Sequence, residues 1–251
     1  MSRRALIFWR VVVILAALGL WWLFDGRVMP DFVTSNPRAV ADRLYHLFSS
    51  GSVWPDLFVT IRELALGYGI GIASGLIVGI TLGSVRPLGR IFEPLISALN
   101  SVPHIALAPV FLILLGLGIW SKVAIAALIV GFVMYNAVYA GMKVLPQRLI
   151  ETTALMGAGR WDLLRWVVLP ALSTPIMTGL KAGVPFSIIG VVVGEFIASD
   201  SGLGYYVRNA GENYDAAGLW AGLVLLVVLV TVMSGALSAV ERVAFRWRAE
   251  R

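Results

Sequence analysis

Ser101 and His104 stand three residues apart, a spacing that brings a hydroxyl and an imidazole to one face of a helix. Such a pair is the beginning of a nucleophile and its base, but no third, orienting acid is evident, so covalent hydrolysis has little support. The run Gly67-x-Gly69-x-Gly71 has the look of a dinucleotide loop. A loop of that kind needs a preceding strand and a helix start, and these glycines lie inside an apolar run. No GxxxxGK[ST] phosphate loop occurs, so any nucleotide must be bound by another chain. With no Cys and only His46 and His104, neither a disulfide framework nor a Cys or His metal cluster is expected. No cofactor is expected in this chain, and the chemistry left to it is non-covalent.

The elements that must position these residues follow from composition. The chain has 251 residues, 59% hydrophobic and only 14% charged, with a mean hydropathy of +0.87. A soluble domain carries about 25% charged residues, so a soluble enzyme and a nucleic-acid-binding protein are both excluded as first readings. The surplus of 20 Lys and Arg over 14 Asp and Glu is then read as basic loops beside a membrane. A transmembrane helix needs roughly 20 apolar residues, which predicts an all-α membrane protein with about six spans. They run over Ala5 to Phe24, about Leu57 to Gly83, Pro94 to Leu117, Val123 to Met142, Ile176 to Ala198 and Gly218 to Val240.

Bulky Leu20-Trp21-Trp22-Leu23-Phe24 offers no cleavage site, so the first segment reads as a retained helix in which Arg10 snorkels. The polar stretch Asp25 to Asp56 reads as an external loop with a short helix from Arg38 to Phe48. The chain thus divides into 1–56, one helix and its loop, and 57–251, a five-helix core containing a polar loop at 143–170. Lys and Arg concentrate around Arg3 to Arg10, Arg86 to Arg90, Lys143 to Arg165 and Arg242 to Arg251. These alternate segments should face the cytoplasm, which places both termini inside.

In the second span Gly67, Gly71, Gly75, Gly79 and Gly83 recur every fourth residue and form one stripe against which another helix can pack closely. Lys181 and Glu195 fall on one helix but about 21 Å apart, too far to pair within it. Lys181 reads as a snorkelling residue near the inner face, and Glu195 as a residue near the outer end that hydrogen-bonds an adjacent turn or serves a gate. Arg62 and Glu63 point to different helix faces and read as anchors at the outer boundary. Pro103 can kink or begin a helix; Asn100 and His104 beside it read as interhelical hydrogen-bond partners, or as groups on a translocation path.

The most specific constellation lies in the polar loop: Glu151-Thr152-Thr153-Ala154-Leu155-Met156-Gly157, nine residues, then Val167-Val168-Leu169-Pro170. Pro146 can start a helix, Gly157 and Gly159 can break it, and Pro170 can end a second short helix before the next span. Arg160-Trp161-Asp162 and Arg165-Trp166 mix aromatics with charges, which suits docking on a partner or lying in the membrane interface.

This loop resembles the EAA motif of permease subunits of ATP-binding-cassette (ABC) importers, Glu-Ala-Ala, three residues, Gly, nine residues, Ile-x-Leu-Pro. Glu151, Gly157, Leu169 and Pro170 match in register, while Thr152 and Thr153 replace both alanines and Val167 the isoleucine. Asn100-Ser101-Val102-Pro103-His104 and Gly194-Glu195-Phe196-Ile197-Ala198-Ser199 are similar to the branch that includes alkanesulfonate, taurine and nitrate permeases. The resemblance implies a type I importer permease in a bacterial inner membrane, and not an enzyme. It implies a second copy of the chain, two ATPase subunits that hold ATP and Mg, and an external solute-binding protein. Glu151 to Gly159 and Arg160 would belong to the ATPase-coupling loop, with Leu169-Pro170 returning the chain to the membrane. The solute implied is a sulfonate, taurine or nitrate-like anion, with a thiamine-related pyrimidine as the alternative. A stand-alone secondary transporter is the competing class.

Overall fold

The computed structural model of the protein describes residues 3–24 and 35–244. Residues 25–34, the first part of the expected external loop, and residues 245–251 of the charged tail lie outside the described residues, as does the Arg10 side chain. The described elements are helical: α1 Arg3–Phe24, α2 Pro37–Ser49, α3 Val53–Ser84, α4 Arg86–Asn100, a 3₁₀ turn His104–Leu107, α5 Ala108–Leu115, α6 Ile119–Lys143, α7 Gln147–Leu155, α8 Arg160–Leu163, a π-type turn Leu164–Val168, α9 Leu169–Ala198, α10 Leu203–Glu212 and α11 Ala216–Ala244.

Among the described residues four helical runs are long and apolar enough to cross a membrane, namely α3, α6, Arg160–Ala198 and α11. A fifth span results if α4 and His104–Leu115, bent by 86°, count as one. The remaining apolar helix of the expected six is α1, 22 residues long. The expected continuous span Pro94 to Leu117 is thus corrected. Pro103 has no N–H to donate and pushes Val102 out of the helical region, so the chain breaks there and restarts with Pro109 in the first turn of α5. The segment Val85 to Arg90, read as a loop, is the first turn of α4, where Pro87 is tolerated because the first N–H groups of a helix have no intrahelical partner.

The chain divides into two compact units. The first comprises Met1–Val59 and Asp200–Val227. Here Asn36 caps α2 by accepting a hydrogen bond from Ala39 N at 2.7 Å, with Pro37 opening the helix. Arg43 Nη2 on α2 reaches Asp215 Oδ2 at 2.6 Å, and Gly202 N donates to Asp56 Oδ1 at 2.8 Å. The Trp21 and Trp220 rings lie 5.1 Å apart.

The second unit comprises Thr60–Ser199 and Val228–Arg251. Its centre is α6, where Val123, Ile125, Val130, Met134 and Val138 are buried. The glycine stripe of α3 lies against it: a Cβ on Gly71 would stand 2.7 Å from the Val130 Cβ, and one on Gly67 2.7 Å from the Ala126 Cβ. The α9 side of α6 is built alike, since a Cβ on Gly190 would stand 2.6 Å from the Ala126 Cα and one on Gly194 2.9 Å from the Lys122 Cγ. Small residues thus let three backbones approach closely around α6, the packing that lipid-embedded helices favour.

Candidate functional site

Three groups of polar residues stand out in the second unit. The first is the hairpin between α6 and α9. Pro146, with ψ 117°, turns the chain out of α6 and caps α7. At the far end Ala158 N donates to Thr153 O at 3.3 Å and Gly157 N to Ala154 O at 3.0 Å, the two bonds of a Schellman ending. That ending demands a left-handed residue, and Gly157 supplies it with φ +88°. Gly159 then begins α8, its N–H donating to Asp162 Oδ2 at 3.1 Å. Glu151 and Thr152 are exposed, while Thr153 Oγ1 donates to Leu149 O at 2.7 Å. Leu155 and Met156 at the tip are 89% and 82% exposed. Among the described residues nothing covers these large apolar side chains on the end of the hairpin.

Pro170 does not end a short helix, as the spacing suggested. It sits in the first turn of α9, in a helix that runs on from α8 through the π-type turn Leu164–Val168. A proline cannot donate to the carbonyl four residues back and its ring crowds that carbonyl. The turn before it widens accordingly, and Leu169 N donates to Leu164 O five residues back.

A second group is a polar strip between α4 and α6. Asn100 Nδ2 donates to Asn136 Oδ1 at 3.1 Å. Nearer the other end of α4, Tyr139 OH donates to Glu93 Oε2 at 3.1 Å, and Lys143 pairs with Glu93 Oε1. The Lys143 ammonium also lies 4.9 Å from the centre of the Tyr139 ring, which stacks on Tyr135 at 5.2 Å. Pro103 introduces the 3₁₀ turn, and the His104 ring packs on Phe132 with centroids 4.6 Å apart. His104 Nε2 has no hydrogen-bond partner among the described residues, so this side chain makes an aromatic contact where an interhelical hydrogen bond was expected. Ser101 donates to the carbonyl of Ser97, not to His104.

The third group is buried. Glu63 is not a boundary anchor: its Oε1 lies 3.2 Å from Lys122 Nζ, with side chains 1% and 5% exposed. Lys122 also donates to Ser199 Oγ at 2.7 Å. Glu195, fully buried, accepts from Thr60 Oγ1 of α3 at 2.7 Å. Glu195 therefore hydrogen-bonds a neighbouring helix and presents no exposed surface. Buried charges persist only when paired and hydrogen-bonded, and this cluster joins α3, α6 and α9. Lys181 pairs with Glu241 of α11.

Sequence reasoning singled out Asn100 and Glu195 but missed Glu93, Asn136, Tyr139, Lys122 and Lys143. The signal for the strip was present. Arg86, Arg90, Glu93, Ser97 and Asn100 recur at helical spacing along one face of α4, and reading Arg86 to Arg90 as a loop concealed it. Nothing in the sequence alone marks Lys122 and Glu63 as partners.

Comparison with known proteins accounts for this architecture. The sequence profile described as binding-protein-dependent transport system inner membrane component matches residues 71–245. The chain is 31% identical over 245 residues to the riboflavin transport system permease protein RibX of Chloroflexus aurantiacus, covering 97% of this chain and 87% of that one. It is 28% identical to the formylaminopyrimidine transport permease protein ThiX of Halalkalibacterium halodurans, covering 91% of both. It is 26% identical to the taurine transport system permease protein TauC of Escherichia coli, covering 93% of this chain and 87% of that one. Its fold is similar to the MetNI methionine ABC transporter in an inward-facing conformation, with a TM-score of 0.67 at 22% identity, covering 75% of this chain and 94% of that one. A hairpin with an exposed apolar tip, a broken third span and glycine-packed helices thus belong to a non-enzymatic, multi-pass subunit of the inner membrane, and the chain is a member of the binding-protein-dependent transport system inner membrane component family.

Proposed function

We propose that this chain, paired with a second copy of itself, forms the translocation pathway of an ABC importer and passes work from two ATPase subunits through the hairpin at 143–170. The observation that carries this reading is the hairpin tip, where Leu155 and Met156 protrude uncovered beyond a glycine-closed turn. An exposed apolar knob beside Glu151, Arg160 and Trp161 suits a cleft in a partner protein. The hairpin lies on the side of the membrane where Lys and Arg concentrate, which is the cytoplasmic side and the side of the termini. ATP and Mg are held by the partner, and an external binding protein delivers the solute.

Alternating access follows from differential binding. ATP can drive the dimer between inward and outward states only by holding the ATPase pair, and so the two hairpins, more tightly in one of them. The continuous helix from Arg160 to Ala198 supports such a mechanism, because displacement of the hairpin is passed to α9 without an intervening loop. Asn100 and the strip beside it belong to the path, whereas Glu195 belongs to the frame around it. The relatives carry, by their names, riboflavin, formylaminopyrimidine or taurine, so the small solute is to be sought among organic anions and vitamin-like rings.

Purification in mild detergent with the chromosomal neighbours, followed by mass spectrometry, tests the reading. Two ATPase subunits per two copies of this chain are expected. Recovery of the chain alone, active in liposomes without ATP, would favour a secondary transporter. Glu151→Lys should abolish solute-stimulated ATP hydrolysis while leaving membrane insertion intact.

A further inference from the structure

The strip between α4 and α6 has a chemistry of its own. Glu93, Ser97 and Asn100 follow one another along one face of α4, and Asn136, Tyr139 and Lys143 along one face of α6. The two faces meet as antiparallel helices, Asn100 opposite Asn136 and Glu93 opposite Tyr139 and Lys143. They border a groove of about 270 Å³ whose apolar walls include Ile96, Tyr135 and Ala140. Asn136 lies seven residues, about 10 Å, from Lys143 along α6, which places the amide pair within a hydrocarbon layer about 30 Å thick. Amides at that depth face water or protein, not lipid.

The charges in the groove cancel. Among the described residues that line it, Lys143 is the cation and Glu93 the anion, and the ammonium is occupied twice, by that carboxylate and by the face of Tyr139. A sulfonate or nitrate entering the groove would meet a carboxylate as readily as an ammonium, and would lose hydration without a free cation to replace it. An uncharged solute faces no such barrier. Each of the two amides offers donors and an acceptor side by side, the arrangement that matches the edge of a nitrogen heterocycle. Ile96 and Ala140 add apolar area for the face of a ring.

We propose that Asn100 and Asn136 form a solute-contact point of the translocation pathway and that the solute they pass is an uncharged, hydrogen-bonding heterocycle, not a small anion. The inference rests on the importer reading above.

The test uses the intact importer, with its ATPase and its binding protein, in proteoliposomes supplied with ATP. Uptake of four labelled probes is compared: riboflavin, formylaminopyrimidine, ethanesulfonate and nitrate. ATP-dependent uptake of one of the ring compounds and of neither anion is expected. Asn136→Ala should lower that uptake about tenfold, the worth of one good two-point hydrogen-bonded contact, in protein that still copurifies with the ATPase. Should the alanine variant fail to assemble, Asn136→Asp, equal in shape but without the amide donors, should show the same loss. Uptake of ethanesulfonate or nitrate, or of neither ring compound, by a complex that retains its ATPase overturns the solute assignment and leaves the importer reading standing. Unchanged ring uptake by the assembled variants overturns the contact point. Isolation of the chain without any ATPase overturns both readings.

Discussion

Lys122 Nζ on α6 stands 3.2 Å from Glu63 Oε1 on α3, and both side chains are almost wholly buried. The same ammonium donates to Ser199 at the end of α9, so one cation on α6 ties together α3, α6 and α9. Removing one member of a buried pair leaves the other uncompensated, at a cost of about 3–5 kcal/mol. Lys122→Met should therefore lower the unfolding midpoint of the detergent-solubilised protein strongly. The double variant Glu63→Leu, Lys122→Met should recover part of the loss, and a double variant as unstable as the sum of the two singles would show the pair to be uncoupled.

Glycines on α3 divide by the face they occupy. A Cβ on Gly71 would meet Val130 Cβ at 2.7 Å and Ala127 O at 2.8 Å, whereas one on Gly69 meets nothing within 4 Å. Gly71→Ala should destabilise by about 1–3 kcal/mol through overpacking. Gly69→Ala should be neutral or stabilising by about 0.5–1 kcal/mol, because alanine loses less backbone freedom in a helix. Fluorescence-detected size-exclusion after a heating series separates the two.

The hairpin tip makes a local prediction. Gly157 holds φ +88° to close the α7 terminus, a conformation that costs a residue bearing a Cβ about 1–2 kcal/mol. Gly157→Ala should leave the membrane helices folded yet shift the positions of Leu155 and Met156. The expected readout is weaker copurification of the ATPase subunit. Retention of the full ATPase complement would mean that the tip does not seat in it.

Lys181 and Glu241 pair at the surface, with side chains 42% and 34% exposed. Exposed pairs contribute about 0–1 kcal/mol. Lys181→Gln should accordingly change the unfolding midpoint little, in contrast to Lys122→Met, although each replaces a lysine paired with a glutamate.

What the sequence carried by itself was everything that depends on local composition and period. Apolar runs of span length made an all-helical membrane protein legible, because bilayer thickness converts directly into residue number. The hairpin was legible from Pro146, Gly157 and the Glu151 to Pro170 spacing, since proline and glycine act through their own backbones. The α3 glycine stripe was legible because its period is that of a helix. The break at Val102-Pro103 was visible as a proline, but whether it kinks a span or divides it depends on what the freed backbone groups meet, and only the fold decided that. The same is true of the charges. Glu63 and Lys122 lie 59 positions apart in sequence, and each alone reads as a residue seeking water. Close packing of α3 and α9 on α6 buries both, and pairing became their means of remaining charged there. Asn100 and Asn136 met for the same reason, since hydrogen bonds between distant helices are set by which faces pack and at what register, which no local pattern contains.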